Sequence, residues 1–328
     1  MPAWLVFISS AAVVVIAGVR LARDGDTIAR RTRLGGAWVG AILVAGTTSL
    51  PELATDITAV RQGETNLAIG DLFGSSMANM LLLAVADLVT RQVRLLTQVA
   101  INQAIVGVLA ISLTSIAIIG VFMDDAPTLF GVGWAPLAIG LGYVLGMRLL
   151  HQNRGEQPPT LGARQDERKV PSLRGAVVGF VVSAVVVLAA APYLVRSGAA
   201  LAEQWGISTG FFGVVFLAAT TSLPETAVMF AAVRAGAYAL AVGNLLGSNC
   251  FNMVILLVLD IVDGPGSILA QAESGVVIAA VFAMLLMGQV LLDLLNRAEH
   301  RIWYLEPGPA LVVLTYVAGL LLTYQASP

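Results

Sequence analysis

Two stretches of this chain return at one fixed offset. GTTSLPELATD (46–56) comes back as ATTSLPETAVM (219–229), and GDLFGSSMANM (70–80) as GNLLGSNCFNM (243–253), each 173 residues on. Shifting 47–80 by 173 lays it on 220–253 without a gap, with 19 of 34 positions identical. The same shift carries Arg61 onto Arg234 and Asp87 onto Asp260. The matching residues include Thr, Ser, Pro, Glu, Gly and Asn, which a shared apolar bias does not supply. Whatever fold this chain adopts must therefore contain two related halves.

The medium of that fold follows from composition. Hydrophobic residues make up 58% and charged residues 12%, against about 25% charged in a soluble domain. This is the balance of an integral membrane protein. Its charges sit in loops, and no basic patch with interleaved aromatics suggests nucleic acid. The single cysteine, Cys250, excludes an internal disulfide and reads as a small packing residue. The N-terminal apolar run lacks a basic leader and reads as a first transmembrane helix, not a signal peptide. No protein partner is evident; composition implies the lipid bilayer as the partner.

A bilayer-spanning helix needs roughly 20 mostly apolar residues. Ten such runs are predicted, at 3–21, 35–60, 66–89, 96–121, 128–149, 174–196, 208–233, 238–262, 273–296 and 308–325. Turn or charge signals such as RQGET, MDDAPT and VDGPGS separate them. The Pro-, Gly- and charge-rich segment 151–172 reads as a linker between a first five-helix repeat, 1–150, and a second, 173–328. The expected fold class is an all-α membrane protein.

Charge sets the expected topology. One face of the predicted bundle carries 16 of the 18 Arg and Lys residues. Positive charge marks the cytoplasmic side, so the N- and C-termini fall outside and 151–172 is cytoplasmic. Five helices per repeat invert the second repeat relative to the first. Glu52 and Glu225 then meet near the midplane by a pseudo-two-fold axis, as in many transporters.

The repeated residues carry oxygen. Thr48 and Ser49 share a helical face with Glu52, and Ser75 with Asn79 and Ser248 with Asn252 are four apart. Pro51 and Pro224 bring no N–H to the carbonyls four residues back, Thr47 and Thr220. Those carbonyls and their neighbours at Ala45 and Ala218 become candidates to face a cation. Hard cations such as Na⁺ and Ca²⁺ take oxygen ligands, Ca²⁺ about 6–8 of them. An ionisable side chain inside a membrane is a functional candidate by default. Asp71 is matched by Asn244 and reads as a helix-start cap or vestibule charge. Asp56, matched by Met229, reads as approaching the outer interface. Asp87 and Asp260, near helix ends, read as interfacial. Gly70, Gly74, Gly243 and Gly247 are expected to let the third and eighth helices approach the second and seventh. His151 and His300 fall in loops with no metal spacing.

Those motifs, GTTSLPE with GSSMAN and ATTSLPE with GSNCFN, resemble the cation/calcium exchanger superfamily, in particular sodium/calcium exchanger-like proteins. The resemblance covers nearly the whole chain and implies two inverted repeats that exchange Ca²⁺ against Na⁺, or in some branches K⁺ or H⁺. Carried over by motif position, the implied cation ligands are Thr48, Ser49, Glu52, Ser75 and Asn79 in the first repeat. In the second they are Thr221, Ser222, Glu225, Ser248 and Asn252, with backbone oxygens at Ala45 and Ala218. Many such exchangers place Asp where this chain has Asn252, which leaves room for H⁺ coupling. The 151–172 linker is too short for a calcium-sensing domain.

The reading is a secondary antiporter with a shared midplane site, Ca²⁺ and Na⁺ as transported ions, no cofactor and a plasma (inner) membrane location. The resemblance also implies that helices one and six slide across the core. The alternative is a Ca²⁺/H⁺ antiporter, or one for another divalent cation. It needs a carboxyl that exchanges a proton near neutral pH, a role open to Glu52 and Glu225. A cation channel is disfavoured by the inverted repeat. An intramembrane enzyme is disfavoured because the chain has no HExxH motif and no histidine within its predicted helices.

Overall fold

In a computed structural model the residues described are 2–31, 45–89, 101–123, 128–129, 131–152, 172–234, 236–295 and 307–327. The start of the second predicted span, Asp124 and Asp125, most of the 151–172 linker, His300 and many charges behind the topology argument lie outside them.

The elements in order are α1 (Ala3–Arg31), α2 (Leu50–Arg61), α3 (Thr65–Val89), α4 (Ile101–Val121), a hairpin β1 (Thr128–Leu129) and β2 (Val132–Gly133), and α5 (Trp134–Gln152). The second half holds α6 (Leu173–Trp205), α7 (Thr209–Thr221), α8 (Leu223–Arg234), α9 (Tyr238–Asp263), α10 (Ser274–Leu295) and α11 (Pro307–Ala326). Each predicted span is mostly helical where it is described, with breaks at Ser49 and Ser222 and a hairpin at the start of the fifth. Seven helices among the described residues are long and apolar enough to cross a membrane, and α7 with α8 makes an eighth if counted as one broken span. Three differences stand out. The hairpin occupies 128–133, so α5 starts late, and it runs on to Gln152, which puts His151, expected in a loop, in the last turn of a helix. The outer helices α1 and α6 run past their predicted ends to Arg31 and Trp205. A short 3₁₀ turn, Ile268–Gln271, precedes α10.

Burial separates centre from rim. The apolar windows of α3 and α9 are 67% and 61% buried, against 33%, 28% and 22% for α1, α6 and α11. The two helices carrying the Gly-Ser-Asn motifs therefore form the centre. Helices α1 and α6 pack along one another at the rim, turning Val178, Val181, Val185 and Leu188 outward. An apolar outer face is what a lipid solvent favours.

Close approach at the centre depends on two glycines. A Cβ on Gly70 would strike the Gly210 carbonyl, and one on Gly74 the Val214 carbonyl. Helix α3 thus packs by its glycines onto α7, in the other half of the chain, rather than onto its neighbour α2. The matched glycines differ: a Cβ on Gly247 would meet the Ala45 side chain at 3.1 Å, and Gly243 has only Gln103 nearby. Opposite Gly74, Gly213–Leu217 of α7 is a π-helical turn, a feature often found at functional sites.

Candidate cation site

Both Ser-Leu-Pro-Glu segments break their helices at the serine. Ser49 has φ −83° and ψ 4°, and Ser222 φ −83° and ψ 5°, outside the helical well. Helices α7 and α8 meet at Ser222 with a 45° bend. Proline two residues later removes one helical donor and makes the break tolerable. The backbone bonds around the breaks also match. Ser49 N donates to Ala45 O at 3.1 Å and Leu53 N to Ser49 O at 3.0 Å. Ser222 N donates to Ala218 O at 3.1 Å and Thr226 N to Ser222 O at 3.0 Å.

The breaks aim each serine at the other half's glutamate. Ser49 Oγ donates to Glu225 Oε1 at 3.3 Å, and Ser222 Oγ donates to Glu52 Oε1 at 3.2 Å. Both glutamates are fully buried. Ser248 Oγ donates to Glu225 Oε1 at 3.5 Å and lies 3.2 Å from Ser49 Oγ and 3.5 Å from Thr48 Oγ1. With its amide nitrogen turned to Glu52, Asn252 donates to Oε2 at 3.0 Å and to the Ser248 carbonyl at 3.1 Å.

The remaining predicted residues are placed less evenly. Asn79 Nδ2 donates to Asn249 Oδ1 at 2.8 Å and is not bonded to a glutamate; its Oδ1 and the Ser75 hydroxyl are buried without partners. Thr221 Oγ1 donates to Asp71 Oδ1 at 2.9 Å. The Ala45 carbonyl accepts from Thr48 Oγ1 at 2.9 Å and from Ser49 N, and the Ala218 carbonyl accepts from Ser222 N and, at 3.5 Å, from Thr221 Oγ1. Each has a second lone pair to offer a cation only if such a bond shifts.

Several acidic residues depart from their expected places. Asp56 is fully buried within the protein, and Asp71 is fully buried six residues inside α3 and does not cap it. Their positions were legible as a pattern, since Asp56 is one turn from Glu52 and Asp71 one turn from Ser75. The expected interfacial Asp260 is buried as well: it accepts from Gly133 N and Ile268 N, both at 2.7 Å. It ties the hairpin and the 3₁₀ turn to α9, which is a structural task. Asp87 is also buried. Asn249, absent from the predicted set, joins the two halves through Asn79 and through the Ser76 carbonyl at 3.3 Å. Cys250 is buried and packs, its Sγ 3.4 Å from the Val106 carbonyl.

A crossed pair of buried carboxyls, ringed by hydroxyls and amides at two broken helices, suits a hard cation. The family described as "Sodium/calcium exchanger protein" matches residues 2–146 and 175–325. The chain belongs to that family. As a cation/calcium exchanger it is a multi-pass integral membrane transporter and not a catalytic enzyme. It is 30% identical over 290 residues to the "Putative antiporter CaxA" of Alkalimonas amylolytica, covering 85% of this chain and 88% of that protein. It is 27% identical over 281 residues to "Inner membrane protein YrbG" of Escherichia coli, covering 83% and 85%. Its fold is similar to that of the "H+/Ca2+ Exchanger CAX", with TM-score 0.67 and 13% identity over 99% of this chain and 88% of that one. It is similar also to the sodium-calcium exchanger NCX_Mj, with TM-score 0.61 and 18% identity over 96% and 97%.

Proposed function

We propose that this exchanger moves Ca²⁺ against Na⁺ by alternating access, through one cation seat shared by the two halves near the bilayer midplane. The observation that carries this reading is the crossed pair of bonds, Ser49 to Glu225 and Ser222 to Glu52. Neither half completes its own site, so an ion bound there is held by both. Thr48, Ser49, Glu52, Ser75, Asn79, Thr221, Ser222, Glu225, Ser248 and Asn252, with the Ala45 and Ala218 carbonyls, supply its oxygens. Ca²⁺ and Na⁺ compete for that set, so each leaves before the other binds.

The chain is read as ten helices in two inverted five-helix repeats, 1–150 and 173–328, with both termini outside and 151–172 cytoplasmic. The membrane is the plasma (inner) membrane. Alternating access is assigned to α1 and α6 moving along the core. In support, α1 crosses both breaks at once: a Cβ on Gly18 would lie 2.8 Å from Pro224 Cγ and 3.1 Å from Pro51 Cγ. A rim helix seated on two prolines meets an apolar surface with few bonds to break.

A second reading, exchange against H⁺, is favoured by one residue. Asn252 faces Glu52 with a neutral amide, which leaves two carboxyls at the centre. Ca²⁺-loaded proteoliposomes separate the readings. A Na⁺ gradient is expected to drive Ca²⁺ movement, with K⁺ and H⁺ gradients inactive. Movement driven by H⁺ alone overturns Na⁺ coupling in favour of the second reading.

A further inference from the structure

The halves stop matching one turn from each glutamate. Beyond Glu52 stands Asp56 and beyond Glu225 stands Met229; before Ser75 stands Asp71 and before Ser248 stands Asn244. Only the first half carries this second pair of carboxyls, and both are fully buried. They face one another between α2 and α3 closely enough to interact directly, with Glu52 the next charge to each. Asp71 Oδ1 accepts from Thr221 across the repeat boundary. Beyond the contact between the two carboxyls themselves, Asp71 Oδ2 and both oxygens of Asp56 have no well-formed hydrogen bond, and no basic side chain among the described residues pairs with either.

An independent feature points the same way. The Ser75 hydroxyl is fully buried within reach of the Glu52 and Asp71 carboxyls, yet it completes a well-formed hydrogen bond to neither. A helical serine in a dry interface commonly bonds back to the carbonyl four residues earlier, as Ser76 does to Leu72 at 2.9 Å. Ser75 does not, and leaves its oxygen beside the carboxyls.

We propose that Asp56 and Asp71 form a second seat for a divalent cation beside the central one, sharing with it the hydroxyl oxygens of Ser75 and Thr221. Two carboxylates buried together without a counter-charge are costly, and one divalent ion neutralises both. An all-oxygen donor set selects a hard ion of the Ca²⁺ type. No three acidic, thiol or imidazole side chains among the described residues converge on one metal position, so the seat is one of two carboxylates and hydroxyl oxygens. An ion held there stands next to Glu52 and can pass into the central seat. The second half, with Met229 and Asn244, has no such stage.

This inference rests on the central-seat reading, because two seats are counted. The test is equilibrium binding of ⁴⁵Ca²⁺ to the full chain in phosphatidylcholine nanodiscs without Na⁺. Wild type is expected to bind two Ca²⁺ per chain. The double variant D56M/D71N, which takes the residues at the matched positions of the second half, is expected to bind one. Glu225→Gln, remote from the aspartates, is also expected to bind one. A single ion in wild type, or two in D56M/D71N, overturns the second seat. Two ions in Glu225→Gln overturn the central-seat reading and leave the second seat standing. If D56M/D71N binds none, Asp71→Asn alone decides: second-ion affinity at least tenfold weaker supports the seat, and unchanged affinity overturns it.

Discussion

Glu52 and Glu225 sit at matched turns of matched helices, behind serines whose backbone angles agree within a degree. Their surroundings nevertheless diverge. Glu52 meets Ser222, Asn252 and a neighbouring pair of aspartates. Glu225 meets Ser49 and Ser248 and keeps Oε2 without a partner. The backbone of the repeat is set by proline and glycine, which act through sterics and hold in both copies. Side-chain identity one turn away is free to differ without disturbing that frame.

Substitutions at matched positions probe this contrast. The largest effect belongs to the feature both halves share. Replacing either Glu52 or Glu225 with Gln should cut Ca²⁺ flux in proteoliposomes by about 100-fold, since an interaction with a charged group is worth roughly 1.5–3 kcal/mol. Folding should survive, as size-exclusion profiles would show. Retained flux in both variants removes the glutamates from the site.

Next comes the packing contrast. Gly74→Ala drives a Cβ into the Val214 backbone, while Gly247→Ala meets only the Ala45 methyl. Overpacking costs about 1–3 kcal/mol, and the loss should fall mainly on Gly74→Ala in thermal unfolding. Equal shifts in Tm would show that α3 and α9 are packed alike.

The smallest effect separates the two asparagines. Asn252→Ala removes a donor to Glu52, whereas Asn79→Ala removes a bond to Asn249. A net hydrogen bond is worth about 1 kcal/mol. Calorimetric titration should therefore show Ca²⁺ affinity falling several-fold for Asn252→Ala, and by less for Asn79→Ala. The reverse order would mean that Asn79 turns toward the ion when one is bound.

Much of this was legible from sequence, and the physical reason is the same in each case. Apolar length gives the spans seen among the described residues, proline marks the segments that break at Ser49 and Ser222, and the 173-residue offset gives each motif position its counterpart, though not its contact. What periodicity does not give is depth or the identity of the facing helix. Asp56 and Asp260 read as interfacial because helix ends usually are, yet α2 buries Pro51, Glu52, Ala54, Thr55 and Asp56 in its first two turns, and Asp260 is buried too. Gly70 and Gly74 read as contacts to α2, but the π turn in α7 brings that helix against α3 instead. Asn79 turned to Asn249 for want of any sequence signal that pairs an asparagine with a particular partner.

The central claim is that one ion is held by both halves together. A double-mutant cycle on Ca²⁺ affinity with Glu52→Asp, Glu225→Asp and their combination tests it, in the D56M/D71N background so that only the central seat is read. The shared seat predicts strong non-additivity, with a coupling energy of about 1 kcal/mol or more. Losses that add to within about 0.5 kcal/mol would mean that each glutamate serves a separate ion, and would contradict the account.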